Sequence, residues 1–252
     1  MTIAVLIKQV PDMNAIRIDR ATGRIVPSPQ LVISSYDQYA IEAALRLRDS
    51  LPGEVVVVSA GPASARDAIS RALAMGADQG IHLELADVNA VDTLDVARVI
   101  ADAVRPLETS VILAGQTADD LEAGQVGAQV AELLDMPLIS NVVAIEVQTQ
   151  SQTLLVRRDM EDGYQTVRCP LPALLLSSTG LDEPRLPSLK GIMAAKKKPI
   201  DAVPVAADNG NRLAWDEPYV PAKSTAGTLV QDLAPAAAAR QLVAWLRERK
   251  LI

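Results

Sequence analysis

Glu54-Val55-Val56-Val57-Val58-Ser59, followed by Ala60-Gly61-Pro62, is the stretch on which the fold turns. Four consecutive valines leave neither side of a strand polar, so the strand is buried on both faces, as in a parallel sheet covered by helices. Gly61-Pro62 ends it, and proline suits the first turn of a helix. Ala65, Ile69, Ala72 and Leu73 recur at helical spacing, and Gly76 stops that helix. Upstream, Ile3 to Val10 reads as the first strand. Tyr36 to Asp49 reads as a helix, with Ala40, Ala44 and Leu47 on a face shared with Ile41 and Leu45. Ser35 and Gln38 offer it a capping box. Downstream, Gly80 to Leu85 is a third strand and Asp92 to Val104 a helix whose apolar side is Leu94, Ala97, Ala101 and Val104. Ser110 to Ala114 is a fourth strand, and Val126, Val130, Leu133 and Leu134 mark the next helix. The fold class is therefore α/β: a three-layer sandwich with a mainly parallel sheet between helices. Ligands of such sheets sit beyond the C-terminal strand ends, here Val10–Met13, Ser59–Pro62, 85–88 and Gly115–Ala118.

The pattern changes after Pro137. Ile139 to Val147, Leu154 to Asp159, Tyr164 to Cys169 and Ala173 to Ser178 read as strands, with Glu161-Asp162-Gly163 as a hairpin turn. From Gly180 prolines recur (Pro184, Pro187, Pro199, Pro204, Pro218, Pro221) and periodicity fades, which predicts an extended C-terminal arm. A helix from about Ala236 to Lys250 ends it, with Ala239, Leu242, Val243 and Leu246 on one face. A stripe on an arm needs a surface to cover it, and a partner subunit is the simplest one. The expected division is an α/β nucleotide-binding domain over 1–185 and a partner-recognition loop plus arm over 186–252.

Half of the 252 residues are apolar, enough for a sizeable core. A net charge of −7 argues against nucleic acid as the main partner. No apolar run is long enough for membrane insertion, and the chain opens on an apolar strand without a basic leader. One cysteine permits no internal disulfide and suits a reducing, cytoplasmic setting. There is no Phe, with two Trp and four Tyr, so few rings are available to stack on an aromatic cofactor.

The loop Gly115-Gln116-Thr117-Ala118-Asp119-Asp120-Leu121-Glu122-Ala123-Gly124-Gln125-Val126 is the leading site candidate. It follows a strand and opens a helix, where free backbone N–H groups attract phosphate. Its three carboxylates are awkward for a bare phosphate, so it reads either as a nucleotide loop or as an ordinary acidic loop. Lys196-Lys197-Lys198 reads as a solvated surface run, or as a dock for an acidic partner. His82 and Cys169, each within an apolar strand, read as structural. Metalloprotease, paired-cysteine, nucleophile-elbow, Walker and Gly-x-Gly-x-x-Gly patterns are absent, so hydrolase and standard dinucleotide dehydrogenase readings lack their residues.

Several segments, in order over residues 1 to 203, resemble the electron transfer flavoprotein beta-subunit family. They are Lys8-Gln9-Val10-Pro11-Asp12; Tyr36-Asp37-Gln38-Tyr39-Ala40-Ile41-Glu42-Ala43-Ala44-Leu45-Arg46-Leu47; Ala72-Leu73-Ala74-Met75-Gly76-Ala77-Asp78; and Val156 to Val167 with Pro172 to Leu175. Glu183-Pro184-Arg185, Leu189, Ile192-Met193 and the lysine run resemble its recognition segment. The resemblance implies an adenine-nucleotide alpha-hydrolase-like fold in a heterodimer whose alpha-type subunit carries most of the FAD site. It implies electrons accepted from a client dehydrogenase and passed to a quinone-linked acceptor, with no bond-making chemistry here. It implies AMP, or in an electron-bifurcating branch a second FAD, held at Leu6, Ser34, Ser35, Tyr36, Asp37, Ala60 and Gly115 to Val126. Met13 falls near the shared FAD. Leu189, with Ile192 and Met193, falls at the docking surface. The family pattern has Asn-Pro at Ser34-Ser35, a basic residue at Gln116 and Ile-Asp-Gly-Asp at Asp119 to Glu122. Those departures weaken phosphate binding electrostatically and leave an empty pocket open as an alternative. A stand-alone, universal-stress-like nucleotide protein is the rival of another class; it calls for a second phosphate loop ending in Ser or Thr, which is not found.

Overall fold

The computed structural model describes residues 1–26, 28, 30–85, 91–148, 153–205, 219–221, 227 and 229–252. The expected strand end at 85–88 and Pro218 fall partly or wholly outside them. In chain order the first unit carries β1 (Thr2–Leu6), β2 (Gln9–Pro11), β3 (Arg17–Ile18), β4 (Ile25–Val26), β5 (Leu31–Ile33), α1 (Ser35–Ser50), β6 (Glu54–Gly61), α2 (Ala65–Met75), β7 (Gln79–Glu84), α3 (Thr93–Val104), β8 (Val111–Gly115) and α4 (Val126–Leu133). It continues with β9 (Leu138–Gln148), β10 (Thr153–Met160), β11 (Gly163–Pro170), β12 (Ala173–Ser177), α5 (Leu189–Ala195) and β13 (Ile200–Pro204). The chain divides into compact units Met1–Pro218 and Tyr219–Ile252. The second holds α6 (Pro235–Glu248), which buries none of its residues and stacks Arg249 on Trp245 at 4.8 Å.

The main sheet, among the described residues, is nine-stranded in the order β11-β10-β9-β12-β8-β1-β6-β7-β13. Strands β9 to β13 along that order are parallel, and the hairpin β10–β11 joins β9 antiparallel. The four valines explain the layering. Val55 and Val57 join Ile3 and Val5 in a core roofed by Ile41 and Leu45 of α1 and Ile69 and Leu73 of α2. Val56 and Val58 join Ala4 and Leu6 in a second core under Ala97 and Ile100 of α3 and Val130 of α4. Alternation along one strand thus feeds two cores, each buried valine contributing roughly 1.5–3 kcal/mol. The three-layer α/β sandwich expected from the sequence is present.

Three local expectations are corrected. The first strand is broken: β1 ends at Leu6, the Lys8 amide turns to the Asp37 carboxylate, and β2 pairs with β5 instead. The capping box is not made. Ser34 is the N-cap of α1, without a side-chain cap bond, and Gln38 Nε2 donates to the Ile33 carbonyl. The segment after Gly180 is not wholly extended, since it folds α5 against α2 and adds β13 beside β7, with Ile200 opposite Gly80. Pro204 sits in that strand because an edge strand tolerates a missing donor. The hairpin turn is as expected, with Met160 paired to Gly163 across Glu161-Asp162.

Candidate functional site

The chain runs from β1 outward to β6 and β7, then returns to place β8 on the other side of β1. The crevice of an open α/β sheet opens where the winding reverses, between the C-terminal ends of β1 and β8. One side chain closes that point. Asp37, in the first turn of α1 and buried, accepts the Lys8 amide at 2.7 Å and the Gly115 amide at 2.9 Å. A side chain on Gly115 would meet Asp37 Oδ1 at 2.6 Å, so only glycine lets strand and carboxylate approach this closely. Burial pushes the Asp37 carboxyl up to about 7; the two amides pull it down, the nearby Asp119 adds to the rise and Lys8 opposes it.

The loop after Gly115 is fastened from several sides. Gln116 donates its amide to the Ser177 carbonyl, and its side-chain oxygen accepts the Asn141 amide at 2.8 Å. Asn141 has a φ of 55° where the β9–β12 register shifts, and that bulge aims its amide at the loop. Asp119 takes both the amide and the hydroxyl of Ser35, each at 2.7 Å, and its own amide reaches the Ser34 hydroxyl at 3.4 Å. Asp120 pairs with the Lys8 ammonium at 2.7 Å. Two of the three loop carboxylates thus face protein partners, and the awkwardness of so much acid beside a phosphate is relieved internally. Glu122 (φ 49°) and Gly124 (φ 61°) turn the chain into α4. Gln125, the N-cap of α4, makes no side-chain cap, so the first-turn N–H groups of α4 are not capped by it. Thr117 Oγ1, Ser59 Oγ and Gln129 Oε1 are buried without a hydrogen-bond partner among the described residues. An uncapped helix start, close glycines and an orphaned loop hydroxyl fit a phosphate-bearing ligand.

Of the predicted residues, Ser34, Ser35, Tyr36, Asp37 and Gly115 to Val126 come together at this crevice. Tyr36 offers its carbonyl to the Ser177 hydroxyl at 3.0 Å. Ala60 lies one residue before the C-terminal end of β6, while Leu6 lies with its side chain in the α3–α4 core, which leaves only its backbone for a ligand. Met13 is exposed on a short 3-10 turn and lines a cleft of about 510 Å³ with Asp12, Ser35, Arg71, Asp119 and Glu122. Leu189, Ile192 and Met193 lie apart from the crevice, on α5, which packs against α2; a side chain on Gly191 would meet the Ala74 carbonyl at 2.4 Å. All three are exposed, Leu189 to 83%. His82 is structural: buried, its Nε2 lies 3.2 Å and 3.1 Å from the Gly61 and Pro62 carbonyls. Lys198 does not belong to a free basic run. Its ammonium donates to the Leu73 and Ala77 carbonyls at the C-terminal end of α2, where a cation is favoured by the helix dipole. Sequence reasoning missed Glu42 and Asn141; Glu42 lay unnoticed among the apolar positions of α1, although it is buried. Among the described residues no cluster of His, Cys, Asp or Glu could hold a metal ion, and no helix is long and apolar enough to cross a membrane.

Sandwich and switch-point loop together define an α/β protein with a mainly parallel sheet and a fastened loop at the C-terminal end of β8. A family model described as electron transfer flavoprotein domain matches residues 22–208. The chain belongs to the electron transfer flavoprotein beta-subunit family. It is 39% identical over 202 residues to an electron transfer flavoprotein subunit beta of Thermoanaerobacterium thermosaccharolyticum, covering 79% of this chain and 76% of the relative. It is 35% identical to the subunit beta of Bacillus subtilis, with 100% of both chains covered. It is 37% identical over 206 residues to the caffeyl-CoA reductase-Etf complex subunit CarD of Acetobacterium woodii, covering 79% and 77%. The family's role is electron transport as a flavin-binding carrier, in which a beta subunit pairs with an alpha subunit. The stand-alone nucleotide protein is set aside by that membership.

Proposed function

We propose that this chain is the beta half of a heterodimeric electron carrier, and that its crevice holds AMP as a structural element. FAD, when bound, supplies the redox chemistry; this chain completes a cleft whose main walls belong to the alpha-type subunit, with Met13 at the approach. Residues 186–252 carry recognition and the arm that wraps that subunit. Electrons arrive from a client dehydrogenase that docks on Leu189, Ile192 and Met193, and leave to a quinone-linked acceptor, in a cytoplasmic setting. The observation that carries the nucleotide assignment is the internal pairing of Asp119 with Ser35 and of Asp120 with Lys8, which engages two of the three loop carboxylates ahead of the uncapped start of α4. The family resemblance of Lys8-Gln9-Val10-Pro11-Asp12 supports a second reading, in which the same loop holds a second FAD of a bifurcating complex.

Mass spectrometry of nucleotide released from the purified, denatured alpha-beta complex tests both. AMP with one FAD per complex supports the first reading, and two FAD support the second. One FAD without AMP means that the crevice is an empty structural pocket.

A further inference from the structure

Glu42 makes a contact that neither the crevice nor the cores require. It lies midway along α1 with its side chain buried, yet it receives four donors from two arginines. Arg185 places Nε 2.7 Å from Oε2, Nη2 2.9 Å from Oε1 and its own amide 3.1 Å from Oε2, and Arg46 Nε adds a bond at 3.1 Å to Oε1. Burial alone would raise the Glu42 carboxyl, but these donors outweigh it and hold it below the usual carboxylate range. Arg46 also pairs with Asp182, and Leu181 beside it is buried in the α1–α2 core. The turn 181–185 is thereby nailed to α1.

A second fastening lies past α5. Lys198 bonds the carbonyls at the end of α2, Ala195 and Ile200 pack on the α1–α2 core, and β13 joins the sheet edge. Between the two fastenings, Ser188 caps α5 through the Gly191 amide at 3.0 Å. Four large apolar side chains there, Leu186, Leu189, Ile192 and Met193, stay exposed to 84%, 83%, 44% and 62%. Exposed apolar groups on a segment held at both ends are pre-organised for a partner, because the cost of ordering them is met before binding.

We infer that the bidentate Glu42–Arg185 pair positions the docking helix α5 from the opposite side of its turn, so that Glu42 and Arg185 are positioning residues for client recognition without touching the client. The inference rests on the docking role proposed for Leu189. Gln at position 42 keeps the shape but presents an amide nitrogen to a guanidinium, and Lys at position 185 keeps the charge but loses the fork.

Two measurements on the intact alpha-beta complex decide it. Hydrogen exchange of amides 189–195 is compared in wild type, E42Q, R185Q and R185K. Flavin reduction by a purified dehydrogenase that reduces the wild-type complex is followed against complex concentration, with L189A and R185Q/L189A included. E42Q and R185Q are expected to speed exchange of 189–195 about tenfold and to raise the half-saturating concentration about tenfold, with R185K intermediate and flavin content unchanged. The double variant is expected to lie close to L189A alone, since both changes act through one surface. If L189A weakens saturation while R185Q, exposed enough to fold, leaves both exchange and saturation at wild-type values, the clamp is overturned and docking stands. If L189A has no effect, the docking role falls and the positioning role falls with it.

Discussion

Asp119 caps helix α1 from across the sheet edge, holding the amide and the hydroxyl of Ser35 with its two oxygens at 2.7 Å each. A residue of the β8–α4 loop thereby does what the N-cap side chain of α1 does not, and the loop and the start of the helix become one structure. Asp119→Ala is expected to cost about 1–2 kcal/mol, the range for loss of a helix cap. Asp119→Asn keeps acceptor capacity on one side only and should fall between. Denaturant unfolding of the three proteins checks this, and an alanine variant as stable as wild type would show that the cap contributes nothing.

Acid should favour the fold through Asp37. Its folded-state pKa of about 7 lies above the ordinary 3.8, so its contribution to stability is complete below the ordinary value, declines as pH rises and is gone above about 7. Measured against Asp37→Asn, which stays neutral, wild type should lose on the order of 2–3 kcal/mol between pH 5 and pH 8. Parallel pH profiles of the two proteins would show that the carboxyl titrates normally.

The Lys8–Asp120 pair is partly exposed, so breaking it should cost less than about 1 kcal/mol in stability. Its effect on ligand binding is expected to be larger. Asp120→Asn removes one negative charge and frees the ammonium of Lys8 beside the loop. Calorimetric titration with AMP should then show several-fold tighter binding that weakens with added salt. Unchanged affinity would place the phosphate elsewhere.

Gly191 leaves no room for a side chain, because the atom that a Cβ would meet is the Ala74 backbone carbonyl rather than a flexible side chain. Gly191→Ala should lift α5 from α2, speed trypsin cleavage after the already exposed Lys190 by loosening the helix around it, and weaken client docking. The first residues of the sheet should remain as protected as before. Trypsin digestion of the alpha-beta complex followed over time checks both halves of that statement.

Much of the architecture was legible in local pattern. Val55 to Val58 could only be a strand with two covered faces, and the spacings around Ile41, Ile69 and Ala97 named the helices that cover it. The ordered motifs from Lys8 to Lys198 pointed to the family, and the run Gly115 to Val126 named the loop at the sheet edge. Such features depend on periodicity and on backbone preferences, which act between residues close in sequence. Tertiary structure alone decided which polar groups meet. Nothing local shows that Asp119 serves Ser35, that Asp37 bridges Lys8 to Gly115, or that Glu42 waits for Arg185, because those partners lie tens to more than a hundred positions apart and only sheet order brings them together. The acid that looked hostile to a phosphate in the linear loop is largely engaged by the fold, since a carboxylate's effect on its surroundings depends on the donors that reach it.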